Sequence, residues 1–258
     1  MPARLDWSQV IARSAEAQSL GTQQPIPSDE HPLPDEGLPF VVRVARGLER
    51  KARPPAAPGP QARNPFLPPF EAGLFVQELS DTHRVLLNKF NVFPHHALVV
   101  SRDFVPQSQR LALPDWDAAL RCLESVDGLV FYNSTATAGA SQPHRHLQLI
   151  PLPVPLVPGA TQLPCRSDVV PLPATAQGAL AAYREALARL GRDRDGADYN
   201  LLATREWLLV VPRAREHVED LSLNALAFAG SFFVKSEDQL ARLRAVGPAA
   251  ALRHVTGS

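Results

Sequence analysis

The sequence predicts an α+β domain built around a mainly antiparallel sheet. Three observations carry that expectation. Short runs of β-branched and aromatic residues follow one another through short links, segments with helical period are inserted between them, and no Gly-rich P-loop or GxGxxG turn marks a parallel nucleotide-binding sheet.

The elements follow in chain order. Residues 1–20 read as an amphipathic helix with Leu5, Val10 and Ile11 on one side. Strands are expected at 40–44 (FVVRV), 73–79 (GLFVQEL), 83–89 (HRVLLNK), 97–101 (ALVVS) and 129–133 (LVFYN). Between the last two, Pro114 opens a helix whose Trp116, Leu120, Leu123 and Val126 share a face, and Gly128 ends it. A second helix spans 176–191, with Leu180, Tyr183, Leu187 and Leu190 inward and Gly191 at its end. Then 199–204 (YNLLAT) and 206–212 (EWLLVVP) read as a strand pair. A final helix begins at Ser236, where Ser236-x-x-Gln239 forms a capping box.

Composition excludes several classes. The 258 residues carry 26 basic and 26 acidic side chains, a balance unlike that of a bulk-charge nucleic-acid binder. No apolar run approaches the roughly 20 residues of a membrane span, and the N-terminus lacks the apolar core of a signal peptide. Two cysteines, Cys122 and Cys165, are too few for a disulfide scaffold, so a reduced, cytoplasmic protein is expected. Proline is the anomaly, at 26 of 258 residues, about twice its usual share. Nineteen fall in three clusters, at 25–39, 54–69 and 151–173. Because proline removes a donor and restricts its predecessor, each cluster reads as a connector. The second is expected to be mobile and the third an ordered, extended crossing. These clusters suggest three regions: a lead-in over 1–39, a core over 40–160, and a C-terminal region over 161–258.

Chemistry concentrates in residues 133–150, NSTATAGASQPHRHLQLI. The first half is small and polar, so its backbone amides can form a concavity for an anion. If 144–150 is a strand, His144, His146 and Gln148 share one face, and Arg145, Leu147 and Leu149 the other. Three readings fit two imidazoles in a row: a structurally hydrogen-bonded polar strand, a metal site, or a histidine nucleophile acting at phosphorus. The metal reading wants a third strong ligand, and Gln148 is a poor one. Only the nucleophile explains the adjoining small-residue loop.

GASQPHRHLQLIP resembles the active-site strand of diadenosine tetraphosphate phosphorylases, also called ATP adenylyltransferases. These belong to the galactose-1-phosphate uridylyltransferase-like branch of the histidine-triad superfamily, marked by His-x-His-x-Gln. Further landmarks occur in the family's order: Asn64-Pro65-Phe66, Leu87-Asn88-Lys89-Phe90, Pro94-His95-His96 with Ala97-Leu98-Val99-Val100, Tyr199-Asn200-Leu201-Leu202, and Asn224 to Gly230 with Lys235 following. Coverage runs from about residue 40 to 240.

The resemblance implies a histidine-triad-like sheet with flanking helices. It also implies phosphorolysis of diadenosine tetraphosphate to ATP and ADP through a covalent adenylyl-histidine. His146 would be the nucleophile, His144 would orient the strand, and Gln148 would bind phosphate without titrating. Gly139, Ala140, Ser141 and Gln142 match the family's phosphate loop. Lys51, Asn88, Lys89 and Asn133, with Asn224, Ser231 and Lys235 from the far end, match its substrate-binding positions. His96 is read as support for the site. The partners implied are a dinucleoside polyphosphate and inorganic phosphate, with no nucleic acid and no membrane. No structural zinc is expected, since the CxxC of the related uridylyltransferases is missing. Magnesium would accompany the polyphosphate by neutralising its oxygens. The alternatives are hexose-1-phosphate uridylyl transfer or adenylylsulfate phosphorolysis on the same histidine, a non-catalytic nucleotide-binding regulator, and a metal-binding β-domain.

Overall fold

A computed structural model describes residues 4–46, 64–157 and 162–258. In chain order these form α1 (Trp7–Ser19), β1 (Ser28–Pro32), β2 (Val41–Ala45), β3 (Phe75–Glu78), β4 (His83–Leu87), β5 (Ala97–Ser101), α2 (Leu113–Ser125), β6 (Gly128–Asn133) and β7 (His146–Pro151). There follow β8 (Asp168–Pro171), α3 (Ala176–Arg189), β9 (Tyr199–Ala203), β10 (Trp207–Pro212), β11 (His217–Val218), β12 (Leu221–Ser222), β13 (Ser231–Val234), α4 (Glu237–Val246) and α5 (Pro248–Thr256).

Eight strands make one antiparallel sheet in the order β3-β4-β5-β7-β6-β9-β10-β8. The α+β expectation holds. Its inner strands β4, β5, β6, β9 and β10 are buried at every position. Helices α1, α2 and α3 cover one face. A smaller sheet (β1-β2-β13), a 3-10 turn at Ala225–Ala229, α4 and α5 cover part of the other. Over β4 and β5 this second cover ends, leaving Leu86, Leu98 and Val100 with only a small cluster around Phe66. The open part of the face adjoins β7. Strands β8, β9 and β10, all from beyond residue 160, continue the sheet built by β3 to β7.

Several elements depart from expectation for identifiable reasons. Ile11 is 45% exposed, because α1 buries Val10, Ser14 and Ala17 at spacings of four and three, and Ile11 lies a further turn of about 100° away. Two proline clusters contain strands. β1 and β8 are both edge strands that finish on a proline, Pro32 and Pro171, where a missing N–H costs least. β13 was hidden because its four residues pair in parallel with β2, about 190 positions upstream. The final helix is two helices, since Gly247 at φ 85° followed by Pro248 ends α4 and starts α5. The capping box at Ser236 is half formed: its Oγ accepts the Gln239 amide, but the Gln239 side chain accepts from Lys235 N.

Of the 54–69 connector, residues 54–63 lie outside the described residues, as does Lys51. Its described end is a fixed turn, with Phe66 buried. In the third cluster, residues 158–161 lie outside the described residues. Before them Val154 and Leu156 are buried in the second core, and the Leu156 amide donates to the Ala229 carbonyl.

Candidate active site

Strand β7 lies between β5 and β6, and its alternation sorts the chemistry. Leu147 and Leu149 enter the helix-side core. Arg145 points the same way, and its Nη1 donates to Asp115 Oδ2 at 2.9 Å. Asp115, at the start of α2, also accepts the Ala112 amide at 2.6 Å and His83 Nε2 at 3.1 Å. His146 and Gln148 face the uncovered part of the sheet. The strand proper starts at His146, while His144 makes an isolated bridge to Pro106.

His146 is buried, and its Nδ1 lies 2.8 Å from the His144 carbonyl oxygen. A carbonyl only accepts, so Nδ1 carries the proton and Nε2 holds the free lone pair. Among the described residues Nε2 has no partner. Burial lowers the His146 pKa to about 4, against the hydrogen bond to the His144 carbonyl, which raises it, so the ring is neutral at pH 7. Its backbone amide donates to Gln107 Oε1 at 2.8 Å, which anchors the start of the strand.

His144 is satisfied on both nitrogens. Nδ1 accepts from Asn64 Nδ2 at 2.8 Å, and Nε2 donates to the Ser101 carbonyl at 2.8 Å. Asn64 Oδ1 in turn accepts the Phe66 amide at 3.0 Å. His144 therefore holds the Asn64-Pro65-Phe66 turn, and Phe66 lies 5.1 Å from the His146 ring between centroids.

Gln148 is aimed by a relay. His96 Nε2 donates to Gln148 Oε1 at 3.1 Å, and His96 Nδ1 accepts from Asn88 Nδ2 at 3.1 Å. Asn88 Oδ1 accepts the Phe90 amide, which sets the direction of the whole chain. Burial lowers the His96 pKa to about 4, so this neutral tautomer persists at pH 7. The Gln148 –NH2 group is left free to donate into the cleft. Asn88, expected to bind substrate, has its side chain committed to His96 and Phe90. Pairing of β5 with β7 places Leu98 opposite Gln148, which brings His96 within reach.

A cavity of about 700 Å³ opens over this face. His146, Gln148, Lys89, Ser141 and Gln142 border it, and Leu86, Leu98, Phe66, Phe70 and Phe90 form an apolar wall. Two larger concavities of about 900 Å³ lie elsewhere, and neither borders His146. Lys89 Nζ donates to both oxygens of Glu71, at 2.9 and 2.7 Å.

The loop before β7 is divided. The amides of Ala138, Gly139 and Ala140 donate back within their own turn, to Thr135, Ala136 and Thr135 carbonyls. Those of Ser141 and Gln142 have no acceptor among the described residues. Of the four expected phosphate contacts, the backbone donors of Gly139 and Ala140 are thus already spent. Gly139 serves instead as a close-packing point. At φ 89° it lies so near Asn224 that a Cβ would sit 3.0 Å from that residue's Cα.

Four expected substrate contacts lie outside the cavity. Asn133 is buried, and its Oδ1 accepts from Asn200 Nδ2 at 2.8 Å and the Ala225 amide at 2.9 Å. Asn224 Oδ1 caps the Leu226 amide, and Ser231 Oγ accepts from Arg43 Nη1. Lys235 is exposed beyond β13. Sequence reasoning gave no role to Asn64, although Asn-Pro is a turn signal. It also missed Gln107, whose partners Asn133 and His146 lie far off in the chain, and Arg213, which reaches Asn200 and Ala138.

An antiparallel sheet with a central His-x-His-x-Gln strand and a neutral, buried imidazole at a cleft is an arrangement suited to nucleotidyl transfer. Comparison with known proteins narrows the class. Residues 1–170 match the model of the Ap4A phosphorylase N-terminal domain, and residues 160–257 match that of the ATP adenylyltransferase C-terminal domain. The chain belongs to the Ap4A phosphorylase family. It is 29% identical over 236 residues to diadenosine 5',5'''-P1,P4-tetraphosphate phosphorylase 2 of Saccharomyces cerevisiae, covering 71% of this chain and 72% of that protein. It is 23% identical over 261 residues to Protein APA1 of the same yeast, covering 81% and 80%. The crystal structure of yeast Ap4A phosphorylase Apa2 shares the fold at a TM-score of 0.83 and 24% identity, covering 99% of this chain and 98% of that one. A structure of Apa2 in complex with Ap4A gives the same values.

Proposed function

We propose that this chain catalyses phosphorolysis of diadenosine 5',5'''-P1,P4-tetraphosphate to ATP and ADP through an adenylyl-His146 intermediate. The observation that carries the reading is the free Nε2 lone pair of a neutral His146 at the mouth of the cavity. Nε2 attacks the α-phosphorus, the bond from that phosphorus to its bridging oxygen breaks, and ATP leaves with the electron pair. Positive charge developing on the ring is held by the Nδ1–H bond to the His144 carbonyl. Inorganic phosphate then attacks the same phosphorus, the N–P bond breaks, and ADP leaves while His146 recovers its lone pair.

The other groups take matching roles in this reading. The apolar wall of Leu86, Leu98 and Phe90 receives the adenosine of the transferred nucleotide. The Ser141 and Gln142 amides and the Gln148 –NH2 donate to phosphate oxygens. Lys89 exchanges Glu71 for phosphate. Among the described residues no group of three or more His, Cys, Asp or Glu gathers to hold a metal, so magnesium would travel with the polyphosphate. No helix of the described residues is long and apolar enough to cross a membrane. Two free thiols, Cys122 and Cys165, fit a reducing cytoplasm.

The test is turnover of Ap4A with and without phosphate. Continued turnover to equal amounts of ATP and ADP should require phosphate, with no more than one ATP per enzyme released in its absence; formation of AMP at a matching rate without phosphate would overturn phosphorolysis. The pH profile has a stated sign. His146 reacts when neutral, so activity is retained above its pKa and lost as pH falls through it. The acid limb of kcat/KM should therefore lie near 4, where His96 also protonates, and not near the ordinary 6.5.

A further inference from the structure

Arg213, directly after β10, is 1% exposed, and among the described residues no carboxylate pairs with it. Its Nη donors end on neutral oxygens, and its Nε has no partner among the described residues. Nη1 reaches Asn200 Oδ1 at 2.6 Å and the Ala138 carbonyl at 3.4 Å, and Nη2 reaches the Arg215 and Glu216 carbonyls at 2.7 and 3.2 Å. Asn200, fully buried, donates to Ala138 O and Asn133 Oδ1, both at 2.8 Å. The Ala138 carbonyl thus takes two side-chain donors from beneath the loop. Burial lowers the guanidinium pKa only to about 10, so it stays charged at pH 7.

Glu216 and Asp198 lie near enough to favour its charge, yet neither makes a direct ion pair, and a buried cation without direct pairing is costly compared with a neutral side chain of similar volume. The charge makes sense if an anion arrives on the far side of the loop. Ser141 and Gln142, whose amides are free, follow Ala138 by three and four residues and border the cavity.

We propose that Arg213, acting through Asn200 and the Ala138 carbonyl, is a positioning residue that aims the Ser141 and Gln142 amides at the polyphosphate and biases the site toward the more highly charged nucleotide. The proposal rests on the reading of this cavity as a nucleotide site. Arg213 touches no reacting atom. It holds the donors in register and contributes positive potential through a dry, low-dielectric interior, where charge is weakly screened.

Asn200→Asp tests it with little change in shape. The new carboxylate pairs with Arg213, cancels the charge, and removes both donors to Ala138 and Asn133. Titration calorimetry of ATP and AMP on the wild type and the variant gives the affinity ratio. ATP should lose about ten-fold more affinity than AMP, with KM for Ap4A raised at least as much, the loss expected for a charge-assisted contact. Arg213→Lys keeps the charge but not the planar fork, and is expected to keep the ATP preference while kcat falls. A merely structural role would weaken ATP and AMP alike, or leave both unchanged in a protein that melts normally; either result overturns the proposal. Should Asn200→Asp fail to fold, Arg213→Lys decides the matter, since wild-type kcat in that variant overturns it too. Failure of the enzymatic reading is separate: it would appear as no Ap4A turnover by the wild type, with the calorimetric ratio still measurable.

Discussion

His146→Ala should lower kcat/KM for Ap4A by about four orders of magnitude or more, the scale seen when a covalent nucleophile is removed. The loss is this large because nothing nearby substitutes for Nε2. His144 has one nitrogen occupied by Asn64 and the other by the Ser101 carbonyl. His96 is held between Asn88 and Gln148. Neither has a lone pair facing the cavity. The remaining donors can still bind nucleotide, so the variant should keep ATP affinity within about ten-fold while losing chemistry. Coupled detection of ATP from Ap4A and phosphate, together with nucleotide calorimetry, reads both quantities. Residual turnover within about a hundred-fold of wild type would assign the nucleophile to another group.

Asp115→Ala should cost about 3–5 kcal/mol of folding stability, the range for removing one partner of a buried ion pair. Asp115 is 2% exposed and Arg145 5% exposed, so the guanidinium left behind would have neither water nor a counter-charge. His83 would lose its Nε2 acceptor and the start of α2 would lose the Ala112 cap. Asp115→Asn retains an oxygen for one of these donors and should cost less. Urea unfolding of both variants measures the difference, and an unchanged midpoint in Asp115→Ala would show that this cluster does not hold the back of β7.

How far the site was legible depends on how local each signal is. The alternation His144, His146, Gln148 against Arg145, Leu147, Leu149 has a period of two and needs no partner, so it could be read directly. The inner strands were equally plain, because burial on both faces leaves near-continuous apolar runs. Edge strands β1 and β8 were obscured by the prolines that their edge position tolerates. Polar partners were harder still. Asn88 was matched to a substrate contact by resemblance, yet its role as the first member of the relay to Gln148 exists only once β5 pairs with β7. Asn133 was similarly matched, and its side-chain Oδ1 joins β6 to β9 and to the 3-10 turn. A signal for that node was present: Asn200 interrupts the apolar strand β9, and Arg213 follows an equally apolar β10. A polar group inside such runs needs a partner, and the Arg213 partners Asn200 and Ala138 lie 13 and 75 positions away. The proline cluster beginning at Pro151 leads from β7 into the second core through Val154 and Leu156.

The central claim is the covalent adenylyl group on His146. Mixing the protein with Ap4A in phosphate-free buffer, quenching within seconds at alkaline pH and digesting should place one AMP moiety on the peptide containing His146, observed by intact mass and fragment spectra. Adding phosphate before the quench should remove the adduct and release ADP in equal amount. An adduct on another residue, or turnover to ATP and ADP with no adduct at any time, would contradict the account.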